Sequence, residues 1–147
     1  MRGISRLLAL CGWAVVLFGA TVPSVADDKP APAADERVFE MRTYICHPGR
    51  LDALNKRFRE HTCKLFEKHG MTLVGFWVPS ETNKKADKDT LVYILAFPSR
   101  EAREAAFAAF GADPEWKAAR EASEADGKIV KQVISTFMTP TDYSYIK

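Results

Sequence analysis

The most informative segment for the fold of this chain is Leu91-Val92-Tyr93-Ile94-Leu95-Ala96-Phe97. Its residues are apolar or aromatic at odd and even positions alike, whereas the side chains of a strand alternate between the two faces of a sheet. A strand of this composition has both faces buried. The sequence therefore predicts a central strand that is covered by other structure on each side.

Three further strands are expected around this one, because β-branched and aromatic residues dominate short runs that turn residues interrupt. The predicted strands span residues 38–46, 71–79, 90–97 and 129–139. Residues 80–89, between the second and the third strand, are polar and rich in lysine, which predicts a long connecting loop.

Two helical regions complete the predicted set of elements. In residues 50–69 the apolar residues recur with a helical period and form one stripe. They are Leu51, Leu54, Phe58 and Leu65. Gly70 follows as a left-handed cap. The second region begins at Ser99, an N-cap residue, and runs to Phe110, and Asp113-Pro114 begins a further helical turn with Asp as the cap.

The resulting order is β-α-β-β-α-β, which is typical of an α+β, ferredoxin-like sheet with both helices on one face. Two helices cover only one face, and no other predicted element covers the second. Apolar residues continue the alternation on the neighbouring strands, namely Val74, Phe76, Val133 and Phe137. We therefore predict a homodimer in which two sheets pack face to face. The alternative is a half-polar second face that is open to solvent.

Residues 1–26 have the three-part pattern of a secretory signal peptide. The parts are the basic residues Arg2 and Arg6, the apolar residues 7–20 and the small residues Ser24-Val25-Ala26. The apolar run is shorter than the ~20 residues that cross a bilayer, which argues against a permanent membrane anchor. We expect a bacterial protein that is exported to the periplasm or the outside, with no stable membrane insertion after cleavage before Asp27.

Residues 27–37 are rich in Asp, Ala and Pro and have no apolar period, so they predict a disordered leader. The folded domain is expected over residues 38–143. The whole chain has 21 basic and 19 acidic residues, and the loss of Arg2 and Arg6 with the signal peptide makes the mature chain balanced. This balance argues against nucleic acid or an acidic membrane as the main partner.

Cys46 and Cys63 remain after cleavage, in a compartment where disulfides form. Cys46 ends the first strand and Cys63 lies well along the first helix, which places them ~20 Å apart at about 1.5 Å per residue. A disulfide needs Cα atoms within about 7 Å of each other. We expect two free thiols within the chain, and a bridge between subunits stays open.

Five motifs, spread in order over the predicted elements, resemble those of the NIPSNAP family. They are Phe39-Glu40-Met41-Arg42-Thr43-Tyr44, Pro48-Gly49-Arg50-Leu51, Glu67-Lys68-His69-Gly70, Leu73-Val74-Gly75-Phe76-Trp77 and Asp113-Pro114-Glu115-Trp116. The resemblance implies the dimeric α/β-barrel fold, in which two ferredoxin-like protomers join their sheets. It also implies fold relatives among haem-degrading and quinone-forming monooxygenases that use no metal of their own.

No metal site is predicted, because His47, His61 and His69 form no i,i+4 ligand pair on one helical face. The sequence has no motif for haem attachment, for a phosphate loop or for a dinucleotide. The haem-degrading fold relatives use an Asn, a Trp and a His, but here the second helix has no histidine and the first strand no asparagine. We therefore expect no cofactor. His69 is better explained as a cation at a helix C-terminus.

One set of polar and aromatic residues lies on otherwise apolar elements, a pattern that is typical of small-molecule sites. The predicted ligand-binding residues are Arg42, Tyr44, His61, Trp77 and Tyr93. The competing interpretation is an ordinary core or interface, in which Glu40 and Arg42 satisfy each other. Trp116 is expected to anchor the loop at Asp113 in the core.

Three functions stay open from the sequence. The first is a dimer that binds a small apolar or aromatic ligand without turnover. The second is a cofactor-independent monooxygenase, in which Trp77 and Tyr93 stack an electron-rich aromatic substrate and His61 takes its proton. The third is a dimer that only mediates protein contacts.

Overall fold

The computed structural model describes residues 37–80, 82–83 and 87–147. The predicted signal peptide, residues 27–36, and residues 81 and 84–86 of the predicted loop lie outside the described residues. The elements are β1 (Val38–Cys46), α1 (Leu51–Arg57), a π-helical turn (Phe58–Thr62), α2 (Cys63–Lys68), β2 (Thr72–Trp77), β3 (Thr90–Phe97), α3 (Arg100–Ala112), α4 (Pro114–Ser123) and β4 (Val130–Met138). No helix in the described part of the chain is long and apolar enough to cross a membrane.

The four strands form one antiparallel sheet in the order β2-β3-β1-β4, so the predicted α+β, ferredoxin-like fold is confirmed. Residues that are paired directly across two strands point to the same face of the sheet. Arg42 and Tyr93 are such a pair, and they lie on the face that the helices cover, which we call the helix face. Met41 and Ile94 are another pair, and they lie on the opposite face, which we call the open face.

The core lies between the helix face and the helices, and aromatic rings fill its centre. Tyr93 is fully buried, and its ring centroid lies 5.2 Å from that of Phe58 in the π turn and 6.0 Å from that of Phe66 in α2. The ring centroid of Phe66 also lies 4.9 Å from that of Phe110 in α3. Aromatic pairs of this kind contribute about 0.5–1.5 kcal/mol each beyond the burial of their area. The rings therefore join both helical regions to the sheet.

The π turn interrupts the first helical region, which the sequence predicted as one α-helix over residues 50–69. The backbone N–H of Cys63 donates to the carbonyl oxygen of Phe58, five residues earlier. A π turn adds one residue to the helix, so the residues after it are rotated by about 100° relative to an uninterrupted α-helix. This rotation brings Phe66, which lies outside the predicted apolar stripe, into the core beside Phe58.

The predicted helix caps are confirmed. Ser99 Oγ accepts a hydrogen bond from a backbone N–H of the first turn of α3 at 3.2 Å, and Asp113 Oδ1 accepts one from the first turn of α4 at 2.8 Å. Gly70, after α2, has a positive φ of 76°, a conformation that favours glycine. α3 continues to Ala112, two residues further than predicted, and Asp113 is the first residue after it with an extended conformation.

The predicted assignment of four apolar residues to the second face of the sheet was wrong for three of them. Val74 lies on the open face, where it lines a groove with other open-face residues. Phe76 instead stacks on Tyr93 with 5.5 Å between ring centroids, and Val133 and Phe137 are paired with helix-face residues of β1. The alternation of a strand shows which residues share a face, but it does not show which of the two faces that is.

A β-bulge in β2 explains the error in that strand. Leu73 is paired with Leu95, but Gly75 is paired with Ile94, so the register shifts between them. One extra residue in a strand moves every later side chain to the other face. Trp77 therefore lies on the open face, although unbroken alternation from Leu73 would place it on the helix face.

The chain covers part of the open face with its own C-terminal residues, which the sequence pattern did not predict. Residues of the segment after β4, together with Phe39 and Ile94, line a groove of about 310 Å³. The Arg37 guanidinium donates to the main-chain oxygen of Lys147 at 2.6 Å, which holds the end of this segment near the start of β1. The expectation that no other part of the chain reaches this face was therefore wrong.

Cys46 and Cys63 form no disulfide with each other within the chain, and the possible bridge between subunits stays a prediction. Cys46 is buried at the end of β1 and Cys63 is half-buried at the start of α2. Burial, with the nearby Asp89 carboxylate, raises the pKa of Cys46 to about 11. Burial also raises the pKa of Cys63. Both thiols are therefore poor nucleophiles in the folded chain.

We expect the Cys46 thiol to react with Ellman's reagent at pH 8 about a hundredfold more slowly in the native protein than after unfolding, because the attacking species is the thiolate. Stopped-flow absorbance in buffer and in guanidinium chloride measures the two rates. In the mature chain that begins at Asp27, the Cys46→Ser variant assigns the slow phase, since Cys63 is then the remaining thiol. A native Cys46 that reacts as fast as the unfolded chain would contradict its buried position.

Candidate functional site

A buried charge cluster lies between the helix face and α3. Glu40 is fully buried, and its carboxylate accepts hydrogen bonds from Arg42 Nη1 at 2.6 Å and from Arg103 Nε and Nη2, both at 2.8 Å. Ser135 Oγ donates a further bond at 2.6 Å. A buried carboxylate is tolerated when it is paired and hydrogen-bonded. The cluster is thus satisfied by its own members.

Arg42 connects this cluster with two tyrosines. Its Nε donates to the hydroxyl of Tyr93 at 3.0 Å, and its Nη2 donates a longer bond to the hydroxyl of Tyr44 at 3.5 Å. The two tyrosine rings lie edge to face with 5.2 Å between centroids. The structure therefore brings together three of the five predicted ligand-binding residues. It also shows Glu40 paired with Arg42, as expected for an ordinary core.

Three members of the cluster, Glu40, Arg42 and Tyr93, have pKa values that are shifted away from neutral pH. Burial alone would raise the pKa of Glu40, but hydrogen bonds, chiefly from Arg103, outweigh it and lower the pKa to about 2. Burial would likewise lower the pKa of Arg42, yet Tyr44, Tyr93 and Glu40 raise it. Burial and Tyr44 raise the pKa of Tyr93. Because a general acid or base works best with a pKa near the operating pH, the cluster suits a structural role better than proton transfer.

His61 and Trp77 lie apart from this cluster. His61 is on the outer side of the π turn, where its side chain is 50 % exposed and 4.0 Å from Glu60, and it lines a groove of about 370 Å³ between α1 and α4. Trp77 is 51 % exposed, and its ring lies so close over Gly75 that a Cβ there would come within 2.5 Å of it. The five predicted residues therefore do not converge on one cavity of the single chain.

A second groove, between α4 and β4, combines aromatic and aliphatic side chains. We call it the α4–β4 groove. Its volume is about 330 Å³, within the range of about 300–1,000 Å³ that is usual for small-molecule sites. Trp116 of α4, Tyr44 of β1 and the β4 residues Val130 and Val133 line it. Trp116 packs on Phe110 with 4.4 Å between ring centroids, so the predicted anchoring of this loop in the core is confirmed.

The charged residues that line the α4–β4 groove are mostly cations. They are Arg57, Arg120, Lys128 and Lys131, with Glu124 as the acid. Glu124 accepts hydrogen bonds from Arg57 Nη1 at 3.3 Å and from Arg120 Nε at 3.4 Å. Burial would raise the pKa of Glu124, but the N–H of Ile129 and the two arginines lower it. The groove therefore carries an excess of positive charge.

Arg57 is a lining residue that was not predicted from the sequence. It comes three residues after Leu54 and directly before Phe58, so the helical period places it on the apolar side of the helix. Its side chain is only 4 % exposed, and its guanidinium lies 5.2 Å from the centroid of the Trp116 ring. A charged residue is rarely buried without a partner. The arginine at a position where the helical pattern predicts an apolar residue was therefore the feature of the sequence that could have identified this site.

The motifs that end at Gly70 and Trp116 are in contact. His69 Nε2 lies 2.7 Å from Asp113 Oδ2, and Lys68 Nζ lies 3.0 Å from the same oxygen. The hydrogen bonds from His69 and Lys68 hold the pKa of Asp113 well below its usual range. His69 thus lies at the C-terminal end of α2 as predicted, and the contact joins α2 to the start of α4, which positions Trp116 at the groove.

Metal ligands are dispersed in the part of the chain that the structure describes. No group of three or more His, Cys, Asp or Glu side chains there could hold a metal ion. His47 follows β1, His61 lies in the π turn and His69 follows α2.

The family model that describes NIPSNAP proteins matches residues 39–145 of this chain, which is most of its length and nearly all of the domain described above. The chain belongs to the NIPSNAP family. The resemblance that the five sequence motifs carry is therefore confirmed. A search of the curated proteins found no match.

Solved NIPSNAP structures have the same fold. A NIPSNAP family protein with unknown function from Agrobacterium tumefaciens is 22 % identical, with a TM-score of 0.66, and the match covers 80 % of this chain and 100 % of that chain. An uncharacterized NIPSNAP-like domain protein from Burkholderia xenovorans is 15 % identical, with a TM-score of 0.64 and coverage of 75 % and 90 %. SnoaB, a cofactor-independent oxygenase from Streptomyces nogalater, is 17 % identical, with a TM-score of 0.48 and coverage of 73 % and 95 %. At these identities the likeness to the two NIPSNAP structures establishes the fold and not the function.

Proposed function

We propose that this NIPSNAP protein is an exported homodimer that binds a small apolar or aromatic molecule without turning it over. The observation that carries the proposal is the α4–β4 groove, where Trp116 and Tyr44 line one cavity of about 330 Å³. Aromatic walls with a few polar groups are typical of small-molecule sites. Both rings are half-buried, so each keeps surface that a ligand would cover.

A second copy of the chain is the proposed cover for the rest of the open face. Met41, Ile45 and Val92 on this face are half-buried, Ile134 is 43 % exposed, and the helices lie on the opposite side of the sheet. Burial of apolar surface contributes about 25 cal/mol per Å². Twofold dimers are the commonest assemblies, and a twofold dimer of this chain would bury the open face of both subunits.

The chemistry of the groove favours binding over a monooxygenase that removes a proton. His61, the predicted base, lines the groove between α1 and α4 and not the α4–β4 groove. Glu124 lines the α4–β4 groove, but Arg57 and Arg120 help to lower its pKa. A base that acts near neutral pH needs a pKa near that pH, so Glu124 is a weak one.

Native mass spectrometry of the protein purified from its own host tests the proposal. We expect a mass of twice the chain that begins at Asp27, because residues 1–26 have the pattern of a cleaved signal peptide. We also expect a small organic component, which denaturation should release. A monomer, or a mass that retains residues 1–26, would contradict the dimer or the export respectively.

Two variants locate the bound component. Val133→Trp should abolish the extra mass, because the indole would fill the groove beside Trp116, and the fold should tolerate it since Val133 is 43 % exposed. Ala108→Trp, at an exposed position of α3, is the matched control and should keep the extra mass. A wild-type dimer without an extra component, or a component that Val133→Trp retains, would contradict the groove as the ligand site.

A further inference from the structure

We infer that the ligand of the α4–β4 groove is a small aromatic anion, such as an aryl carboxylate, whose negative group is held by Arg57 and the neighbouring lysines. The inference rests on the proposed function and names the chemical class of its ligand. Three observations carry it: the incomplete hydrogen bonding of Arg57, the charge of the groove, and the position of the guanidinium over an aromatic ring.

Arg57 is a buried cation with incomplete hydrogen bonding. Its side chain is 4 % exposed, and its side-chain bonds in the described part of the chain both leave from Nη1, to Ser123 Oγ at 3.1 Å and to Glu124 Oε1 at 3.3 Å. Its Nε is buried and has no partner among the described residues. A guanidinium has five N–H donors, and buried donors are normally paired. The unpaired donors of Arg57 therefore favour an additional acceptor at this place.

The cations around Arg57 exceed the acids. Glu124 is shared between Arg57, at 3.3 Å, and Arg120, at 3.4 Å. Lys128 and Lys131 line the same groove, and neither has an acidic partner in the described part of the chain. The whole sequence is nearly neutral, with 21 basic and 19 acidic residues, so the excess is a local property of the groove. A local excess of positive charge attracts anions.

The guanidinium and the rings suit the two parts of an aromatic anion. Arg57 lies over the Trp116 ring, 5.2 Å from its centroid, and Tyr44 lines the same groove. A ligand that packs against the exposed part of the half-buried Trp116 ring would therefore bring a short acidic substituent close to Arg57. Hydrogen bonds between a guanidinium and a carboxylate are charge-assisted and stronger than neutral ones. A neutral aromatic molecule could use only the rings and the aliphatic side chains.

Two probes of the same shape test the charge preference. Isothermal titration calorimetry on the mature protein compares 1-naphthoate with 1-naphthamide, which has an uncharged amide in place of the carboxylate. We expect naphthoate to bind about tenfold more tightly, as charge-assisted hydrogen bonds imply. The preference should shrink in high salt, because salt screens the contribution of the exposed lysines.

Variants assign the preference to the groove. Arg57→Met should abolish it. Since that substitution also removes a partner of Glu124, the exposed pair Lys128→Gln/Lys131→Gln provides a second test with little effect on folding, and it should reduce the preference about fivefold at low salt. Arg59→Gln/Lys64→Gln removes the same charge from exposed positions that line neither groove and should leave the preference unchanged.

Each remaining outcome overturns the inference. Equal affinity for the two probes, with binding that Val133→Trp removes, would keep the proposed ligand site and exclude an anion as its ligand. A preference that all variants retain would place the anion elsewhere on the protein. If neither probe binds, the inference fails, and the native mass spectra of the wild type and Val133→Trp decide the proposed function independently.

Discussion

Glu40→Gln is expected to lower the free energy of unfolding by about 3–5 kcal/mol. The Glu40 carboxylate is fully buried and accepts hydrogen bonds from Arg42, Arg103 and Ser135. An amide keeps the shape but removes the negative charge, which leaves two guanidinium groups, 14 % and 20 % exposed, without their counter-charge. Removal of one partner from a buried ion pair costs more than the pair itself contributes.

Urea denaturation followed by circular dichroism measures this loss. Glu104→Gln is the matched control, because Glu104 lies at an exposed position of α3 and surface substitutions usually change stability by less than about 0.5 kcal/mol. A loss below about 1 kcal/mol for Glu40→Gln would contradict the role of the buried cluster, since that value is typical of a single exposed ion pair.

The same two proteins have a pH signature whose sign follows from the pKa of Glu40. That pKa is lowered from 4.5 to about 2 in the folded chain. A carboxyl group with a depressed folded pKa stabilises the fold fully above its unfolded pKa, and this contribution is lost as the pH falls through the folded pKa. The stability difference between wild type and Glu40→Gln should therefore be constant above about pH 5 and shrink between about pH 4.5 and 2.

Ile134→Glu should convert the proposed dimer into monomers. Ile134 lies on the open face of β4 and is 43 % exposed in the single chain, so the substitution should leave the fold of the monomer intact. In a dimer that joins two open faces, it would bury a carboxylate on each subunit without a partner, at a cost of several kcal/mol. A cost of about 3 kcal/mol raises the dissociation constant of the dimer about a hundredfold.

The neighbouring residue supplies a matched control. Val133 is also 43 % exposed but lies on the helix face, so Val133→Glu introduces the same charge on the same strand and should leave the dimer intact. Size-exclusion chromatography with light scattering, over a range of concentrations, gives the two masses. Dissociation by both variants, or by neither, would argue against the open face as the interface.

The order of the elements could be predicted from the sequence because each segment signals its own type. The apolar run of β3 excludes an exposed strand, and Ser99, Gly70 and Asp113 mark helix ends by local backbone chemistry. The face of the sheet to which each side chain points was harder to predict. The bulge between Leu73 and Gly75 inverts the end of β2. Gly75 was the local sign of it, because an isolated glycine inside a strand often marks a bulge.

The predicted positions of the candidate site residues were affected by the same kind of irregularity in a strand or helix. Arg42, Tyr44 and Tyr93 are in contact because paired strands bring them together, whereas the bulge moves Trp77 to the open face. The predicted position of His61 assumed a continuous α-helix, which the π turn interrupts. Arg57 can be identified from the sequence as a candidate binding residue only because it is a charged residue at a position where the helical pattern predicts an apolar one. Such departures from the pattern are expected at functional sites.

A crystal structure of the mature protein purified from its own host tests both the proposed dimer and the proposed ligand site. We predict a twofold dimer that joins the open faces of two sheets, and electron density for a small aromatic molecule against Trp116 in the α4–β4 groove. An assembly that leaves the open faces in solvent, or a groove occupied by the protein's own side chains with the bound molecule elsewhere, would contradict the dimer or the ligand site respectively.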